Sequence, residues 1–168
     1  MRELGKGKGV EIMGIKDVRE YLRQWDREKD ILEFDTSSAT VELAAQAVGV
    51  EPARIAKTLA FKNGEGALLV VAAGDARVDN KKFKQEFGFK PHMLSPDEAL
   101  ALTGHPVGGV CPFGLKQDVP VFCDVSLKRF DTVFPACGSS NSAIELTCEE
   151  LDLYSRNVRW VDVCRGWA

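Results

Sequence analysis

Two kinds of feature in this sequence could perform chemistry together: a lysine within an apolar run and two loops rich in glycine. The lysine is Lys57, in Arg54–Phe61, and the loops are Gly104–Gly114 and Cys137–Asn141. An ammonium group can hold a carbonyl and stabilise an oxyanion, together with backbone N–H groups that are accessible because glycine has no side chain. Water or the substrate itself would then supply the nucleophile.

The apolar run around Lys57 predicts a strand in which alternate side chains share a face. Lys57 then faces the same way as Leu59 and Phe61, whereas Thr58 points to the opposite side. A lysine on an apolar face needs compensation, because burial of an unpaired charge is unfavourable. The side chain either extends to the rim, pairs with an acid, or serves a ligand in a cavity.

The first glycine loop has a flexible beginning and a rigid end. Gly108 and Gly109 allow close approach of a ligand to the backbone, and Pro112 fixes the far side. The pattern lacks the lysine and hydroxyl order of a P-loop and the strand-turn-helix setting of a dinucleotide site. The loop is therefore either a cradle for a carbonyl or phosphate group, or an ordinary turn. The same two interpretations apply to the second loop, which contains Gly138 and Ser139.

Few residues are available for a protein nucleophile or a metal site. Only His92 and His105 are histidines, and His105 is either within reach of the glycine loop or a surface turn residue. The five cysteines include no C-x-x-C pair, so the sequence predicts free thiols, no zinc site and no other metal or cofactor. Cys111 and Cys137 lie in the two loops, where they could approach a ligand, but no base that would activate Cys111 is evident.

The length and composition fit one globular domain. The 168 residues are 45% hydrophobic and 28% charged, and no apolar run approaches the roughly 20 residues that span a bilayer. Residues 1–14 carry positive charges without a following apolar segment, which predicts a flexible tail on a cytoplasmic protein whose domain covers residues 15–168.

A short basic segment is the one candidate for contact with nucleic acid. The net charge of −3 gives no general attraction to RNA, so such binding requires a local patch. The basic residues concerned are Arg77, Lys81, Lys82, Lys84 and Lys90. A solvated helix face explains them equally well.

The elements that would position these residues alternate between short strands and helices. Residues 35–38 supply capping chemistry for a helix over Val41–Val48, and Ser95 begins a further helix with a capping box. Lys57–Phe61 and Ala67–Ala73 form a hairpin whose second strand is apolar on both faces and therefore central. Further strands are predicted over Val119–Val125, Thr132–Cys137, Ala143–Thr147 and Val158–Val163. This order predicts an α+β fold with a mixed, curled, barrel-like sheet surrounded by helices.

Four segments resemble the YbaK family, the editing domains associated with prolyl-tRNA synthetase that deacylate mischarged tRNA. They are Val48–Leu59, Asp79–Lys82, Val107–Gly114, and Gly138 with Ala143–Leu146. The order, the spacing and the lysine-threonine pair together are specific to this family. The family fold is a distorted mixed barrel wrapped by helices.

The resemblance implies a role for each matching residue. Lys57 is the essential pocket residue that positions the aminoacyl ester, and Thr58 follows it in the motif. Backbone amides of the first loop cradle the aminoacyl group, and the second loop forms the opposite wall. The substrate-binding residues implied are Thr58, Gly108, Gly109, Val110, Cys111, Pro112, Gly138 and Ser139. Apart from the resemblance, the basic segment makes Lys81, Lys82 and Lys84 candidates for contact with tRNA.

Two positions depart from the branch of the family that acts on cysteinyl-tRNA-Pro. Ala136 and Ala143 stand where that branch carries a serine and an aspartate, and residues 34–38 lack an expected tyrosine. Alanine, serine and threonine therefore join cysteine as candidate amino acids.

The sequence thus predicts a freestanding deacylase that edits aminoacyl-tRNA in trans, with mischarged tRNA and a synthetase, such as prolyl-tRNA synthetase, as partners. Hydrolysis would need no metal or protein nucleophile. Two alternatives remain: a module that binds the aminoacyl end of tRNA without hydrolysis, and a redox protein that uses Cys111. The amino acid, the tRNA, the oligomeric state and the means of activating water are not determined by the sequence.

Overall fold

The computed structural model describes residues 14–116 and 118–167 of the chain. The predicted tail, residues 1–14, lies outside the described residues except for Gly14. Five α-helices are described: residues 14–22 (α1), Val41–Val48 (α2), Asn80–Phe87 (α3), Pro96–Thr103 (α4) and Cys148–Tyr154 (α5). Four short 3₁₀ helices cover Arg23–Trp25, Glu28–Asp30, Pro52–Arg54 and Val125–Arg129.

The strands are short except for one central hairpin. They are Leu32–Glu33 (β1), Ile55–Asn63 (β2), Gly66–Ala73 (β3), Arg77–Val78 (β4), Val121–Asp124 (β5), Thr132–Pro135 (β6), Ser142–Ala143 (β7), Leu146–Thr147 (β8), Trp160–Val161 (β9) and Cys164–Arg165 (β10). Six of them form a curled, half-barrel sheet in the order β8-β6-β2-β3-β5-β9. Two further pairs, β1 with β7 and β4 with β10, complete the mixed fold that the sequence predicts.

The hairpin of β2 and β3 is the centre of the structure, as predicted. β3 pairs antiparallel with β2 and parallel with β5, and Leu69–Ala73 are completely buried on both faces. Strands covered on both sides are expected to be apolar throughout, because neither face meets water. β2 pairs in parallel with β6 on its other side.

Local capping signals set most helix boundaries. Capping boxes begin α4 at Ser95 and α5 at Thr147, and Asp79 caps α3. The cap of α2 differs from the prediction: the side chain of Thr40, and not of a residue in 35–38, accepts a hydrogen bond from the Leu43 N–H. Residues 32–38 are instead tied to the second glycine loop, with the Ser38 N–H donating to the Ser140 carbonyl.

One predicted strand is divided in the structure and another is shortened. Ala143–Thr147 becomes β7 and β8, which pair with different partners, and the segment Val158–Val163 holds only β9, with β10 following. In the described residues no helix is both long and apolar enough to span a membrane.

Candidate active site

A gap in the hydrogen bonding of β2 lies beside a cavity that Lys57 lines. Pairing with β6 ends at Ala56, and on the same edge the Ala60 carbonyl accepts from the Leu94 N–H while the Lys62 N–H donates to the His92 carbonyl. Outward-pointing backbone groups alternate along a strand, so the N–H and C=O of Thr58 face this gap. The break in the sheet thus supplies a donor and an acceptor at one place.

The cavity at this gap, here called the alanine cavity, has a volume of about 290 Å³. Seven alanines line it: Ala39, Ala44, Ala56, Ala60, Ala99, Ala136 and Ala143. Lys57, Thr58, Gly108 and Val110 also line it, together with the hydroxyl-bearing residues Ser38, Thr40 and Ser142. The wall is therefore mainly small and apolar, with one cation.

Lys57 lies at this cavity without an acidic partner among the described residues. Its ammonium donates to the carbonyls of Gly74, at 3.3 Å, and Ala76. Partial burial lowers the pKa of Lys57, with like charge on Arg77 acting in the same direction and the negative charges of Asp75 and Glu42 opposing it. Two of the three ammonium N–H groups are thus used by the described backbone, which leaves the third for a ligand.

Thr58 contributes a second unusual group. Its Oγ1 is buried and has no hydrogen-bond partner in the part of the chain that the structure describes. Buried hydroxyls are nearly always paired, so an unpaired one beside a cavity is a candidate for interaction with a ligand or water.

The two glycine loops meet backbone to backbone. A Cβ on Gly109 would lie 2.6 Å from the Ser139 nitrogen, and one on Gly108 would lie 2.9 Å from the Ala39 Cβ. Gly108 also has a φ of +83° and Gly138 a φ of +91°, values that favour glycine. Glycine at 109 thus allows the two loops to pack together, and glycine at 108 allows the first loop to approach Ala39. This structural role is distinct from the predicted contact with a ligand.

The sequence-predicted site residues fall into two groups. Lys57, Thr58, Gly108 and Val110 come together at the alanine cavity. The remaining five predicted residues of the two loops are not part of its lining: Gly109, Cys111, Pro112, Gly138 and Ser139. Their role in substrate binding stays a prediction.

Three of these five residues make other contacts. Ser139 is hydrogen-bonded to Asn141 and Ser142, and Pro112 lines a separate polar depression that also contains Arg156. The Cys111 side chain is completely buried, and burial raises the pKa of its thiol to about 12. Cys137 is also completely buried, so neither thiol approaches a ligand as considered from the sequence.

His105 is neither a pocket residue nor a surface turn residue in this fold. It is completely buried, and its Nε2 lies 2.6 Å from the Phe113 carbonyl oxygen, so that nitrogen carries the proton in the hydrogen-bonded tautomer. Burial lowers the pKa of the His105 imidazole, which keeps it neutral. His105 therefore supports the loop from the core.

The basic segment is only partly available for binding. Lys82 donates to Asp162 at 3.1 Å and to the Cys164 carbonyl at 3.0 Å, whereas Lys81 and Lys84 are exposed on α3. Contact of these lysines with tRNA stays a prediction.

Comparisons with known proteins identify the family of this chain. The family model described as an aminoacyl-tRNA editing domain matches residues 35–153. An uncharacterised protein of Bacillus subtilis, YwhH, is 60% identical over 92% of this chain and 99% of its own length. A candidate Cys-tRNA(Pro)/Cys-tRNA(Cys) deacylase of Enterococcus faecalis, EbsC, is 30% identical over 67% of this chain and 70% of its own.

A solved structure extends the agreement to the fold. The crystal structure of a candidate trans-editing enzyme for prolyl-tRNA synthetase superposes with a TM-score of 0.82 at 29% identity. The match covers 91% of this chain and 98% of the other. The chain therefore belongs to the aminoacyl-tRNA editing domain family, in agreement with the resemblance found in its sequence.

Proposed function

We propose that this protein is a deacylase that acts in trans on mischarged tRNA of the tRNA-Pro type and hydrolyses the ester to the amino acid. The observation that carries the proposal is the alanine cavity, where Lys57 meets the front of the first glycine loop, at Gly108 and Val110. The chain that carries this arrangement belongs to an editing-domain family. One of its structural neighbours is a candidate trans-editing enzyme.

The groups at the gap in β2 suit an aminoacyl ester. The Thr58 carbonyl can accept from an α-ammonium group, and the Thr58 N–H and the Lys57 ammonium can donate to the ester carbonyl. In hydrolysis, water adds to the carbonyl carbon and forms a tetrahedral oxyanion. The bond from carbon to the ribose oxygen then breaks as the carbonyl re-forms, and the proton lost by the attacking water ends on the ribose oxygen, so that the amino acid and a tRNA hydroxyl are released. Donors already in place for the oxyanion lower the barrier, because they need no reorganisation during the reaction.

The wall of the cavity favours small amino acids with little polarity. Ala136 and Ala143 present methyl groups where hydroxyl or carboxylate groups could have contacted the substrate. Of the four candidates, alanine and cysteine suit such a wall better than serine and threonine, because a thiol packs as a small apolar group. An apolar pocket rejects an added hydroxyl by only about a hundredfold, so weaker release of serine or threonine is compatible with this wall.

A second function is favoured by one observation. Among the described residues that line the alanine cavity, Lys57 is the only titratable one, so no carboxylate or imidazole is positioned there to activate water. A hydroxyl of the tRNA or the side chain of the substrate would have to assist hydrolysis. Otherwise the protein is a module that binds the aminoacyl end of tRNA without cleaving it.

The deciding experiment measures release from tRNA-Pro charged with alanine, cysteine, serine or threonine. Native protein is compared with Lys57→Ala and with Lys29→Ala, which removes an exposed lysine paired with Asp26. We expect native protein and Lys29→Ala to deacylate alike and Lys57→Ala to be slower by a factor of about 100 or more, as for the loss of an oxyanion donor. No release above the uncatalysed rate from any substrate, with binding intact, would establish the non-hydrolytic module instead.

A further inference from the structure

The turn that follows β3 holds the ammonium of Lys57. The ammonium donates to the carbonyls of Gly74, at 3.3 Å, and Ala76, which are the residues on either side of Asp75. Burial lowers the pKa of Lys57 most, and the negative charge of Asp75 opposes that effect. No ion pair joins Asp75 to Lys57 within 14–116 and 118–167. The carboxylate therefore acts on the ammonium without pairing with it.

Arg129, at the end of the 3₁₀ helix Val125–Arg129, binds both oxygens of that carboxylate. Its Nη1 donates to Asp75 Oδ2 at 3.0 Å and its Nη2 donates to Oδ1 at 2.6 Å. A pair between a guanidinium and a carboxylate that is joined at two points fixes the orientation of both groups, which an ammonium cannot do. The hydrogen bonds from Arg129 lower the pKa of Asp75 and keep it charged. Asp75 is thus engaged by Arg129 and not by Lys57.

The guanidinium of Arg129 is itself fixed by further contacts. Its Nε donates to the Ser126 carbonyl at 2.9 Å. Its Cζ lies 4.8 Å from the ring centroid of Phe130 and 5.0 Å from that of Trp167. The side chain is 22% exposed, so its contacts with the rings and with Asp75 are stronger than they would be in open solvent. The pair is therefore more rigid than an ordinary surface ion pair.

The same 3₁₀ helix also holds the end of β3. The Oγ of Ser126 accepts from the Ala73 N–H at 3.1 Å, and the buried Asp124 accepts from the Ser126 N–H at 3.0 Å. The turn that orients Lys57 is thus attached to this helix at two points: Ala73 through Ser126, and Asp75 through Arg129.

Asp75 is the carboxylate placed to compete for Lys57. The charged and titratable groups that act on the Lys57 ammonium are Cys164, Asp75, Glu42 and Arg77, and of the two carboxylates Asp75 has the larger effect. An ammonium that pairs with a carboxylate donates to it in preference to a neutral ester carbonyl, because hydrogen bonds between charged groups are stronger. An unrestrained Asp75 would therefore withdraw the ammonium from a substrate.

We propose that Arg129 is a positioning residue for Lys57: by holding Asp75 it keeps this carboxylate from pairing with the ammonium and fixes the turn that orients it. The consequence for catalysis rests on the proposed function, in which Lys57 donates to the ester carbonyl. Arg129 does not line the alanine cavity, so it acts through Asp75 and the turn. The third N–H of the ammonium then stays available at that cavity.

The test compares native protein with Arg129→Gln, Asp75→Asn and the double variant. Arg159→Gln is the matched control: Arg159 also donates twice to a carboxylate, that of Glu86, and lies over an aromatic ring, but it does not line the alanine cavity. Amide spectra verify the fold of each variant.

Two quantities are measured in each protein. NMR titration of the lysine side-chain resonances gives the pKa of Lys57, which is assigned by the signal that is lost in Lys57→Met. Deacylation of the charged tRNA that native protein releases fastest gives kcat and KM.

We expect Arg129→Gln to raise the pKa of Lys57 by about one unit, because the released carboxylate pairs with the ammonium. It should lower kcat about tenfold and change KM less than about twofold. Asp75→Asn should lower the pKa of Lys57. The double variant should return the pKa of Lys57 to the native value and kcat to within about threefold of it, because the competing carboxylate is gone. Arg159→Gln should leave the pKa and kcat unchanged.

A purely structural role of Arg129 gives a different pattern. The turn would then only be loosened, so the pKa of Lys57 would not rise in Arg129→Gln and the double variant would be at least as slow as the single one. Either result would overturn the proposal. If Arg129→Gln lacks a native amide spectrum, Arg129→Lys replaces it. A lysine keeps the charge but holds the carboxylate at one point, so the same changes are expected at smaller size, and native values of both quantities would reject the proposal.

The pKa measurement needs no substrate, so the two proposals fail separately. If native protein deacylates no charged tRNA but the pKa of Lys57 responds to the variants as expected, the deacylase proposal fails and the positioning of the ammonium by Arg129 stands. If native protein deacylates tRNA and Arg129→Gln changes neither kcat nor the pKa of Lys57, the deacylase stands and the role of Arg129 is rejected.

Discussion

The alanine cavity and the neighbouring core both contain residue types that are suited to chemistry. Lys57 lines the cavity and is half-buried, and its ammonium donates to backbone carbonyls. Within the first glycine loop, the Nε2 of His105 and the Sγ of Cys111 lie 3.6 Å apart, but both side chains are completely buried. A histidine beside a cysteine would ordinarily suggest an activated thiol.

The difference between these regions lies in solvation. Burial raises the pKa of Cys111 to about 12 and lowers that of His105, so both groups are held neutral and no thiolate-imidazolium pair forms. The thiol also points to the Phe113 carbonyl, which accepts from it at 3.6 Å. The geometry therefore argues against the redox interpretation based on Cys111 and leaves Lys57 as the candidate for chemistry.

The largest effect that tests this contrast is the reactivity of the thiols. Cys111 should react with iodoacetamide at pH 8 about a thousandfold more slowly than an ordinary exposed cysteine, because its raised pKa of about 12 suppresses the thiolate. Cys148, which is only partly buried, provides the internal reference. Mass spectrometry of peptides from the native protein, labelled over time, measures both rates. Labelling of Cys111 as rapidly as Cys148 would remove the distinction between the two regions.

The next effect concerns the contact between the two loops. Gly109→Ala should lower the free energy of unfolding by about 3 kcal/mol, because the new Cβ meets the Ser139 backbone at 2.6 Å and backbone cannot rotate away. Gly64→Ala is the control: Gly64 has a φ of +63° but open space around it, so only about 1 kcal/mol of backbone strain is expected. Urea unfolding measures both variants. Equal losses would show that the loops separate without penalty.

The parts of the fold predicted correctly are those set by neighbours in sequence. The bounds of α2, the capping box of α4 and the central position of β3 follow from side chains within a few residues. The cap of α2 was predicted wrongly because several hydroxyls precede that helix, and only pairing of 32–38 with the second loop selects Thr40.

The candidate site was predictable only where one segment supplies it. Lys57 and Thr58 lie in one strand, and Gly108 and Val110 lie in one loop. The family motif and the alternation of side chains along a strand therefore identify them. The burial of His105 depends on packing by distant segments that no local pattern describes. A cavity lined by Lys57, Arg77 and Met93 was missed for the same reason: Arg77 was considered only as part of a basic segment, and Met93 carries no signal until β2 and the segment before α4 are side by side.

The smallest expected effect sharpens the view that Lys57 is held charged at some cost. Because its pKa is lowered from 10.5, the unfolded chain binds more protons than the folded protein between the lowered value and 10.5. In that window the contribution of Lys57 makes the protein more stable as pH rises. Lys57→Met lacks this contribution, so its free energy of unfolding relative to native protein should be highest at neutral pH and decline toward pH 10.5.

Paired urea titrations of native protein and Lys57→Met from pH 7 to about 10.5 measure that difference, with groups common to both proteins cancelling. A matched pair with Lys29→Met should behave in the opposite sense, since Asp26 raises the pKa of Lys29. A difference for Lys57→Met that grows with pH would mean that the carbonyls of Gly74 and Ala76 stabilise the ammonium more than burial penalises it. Lys57 would then resemble a structural lysine fixed by the turn after β3, and the distinction between the cavity and the neighbouring core would no longer rest on solvation.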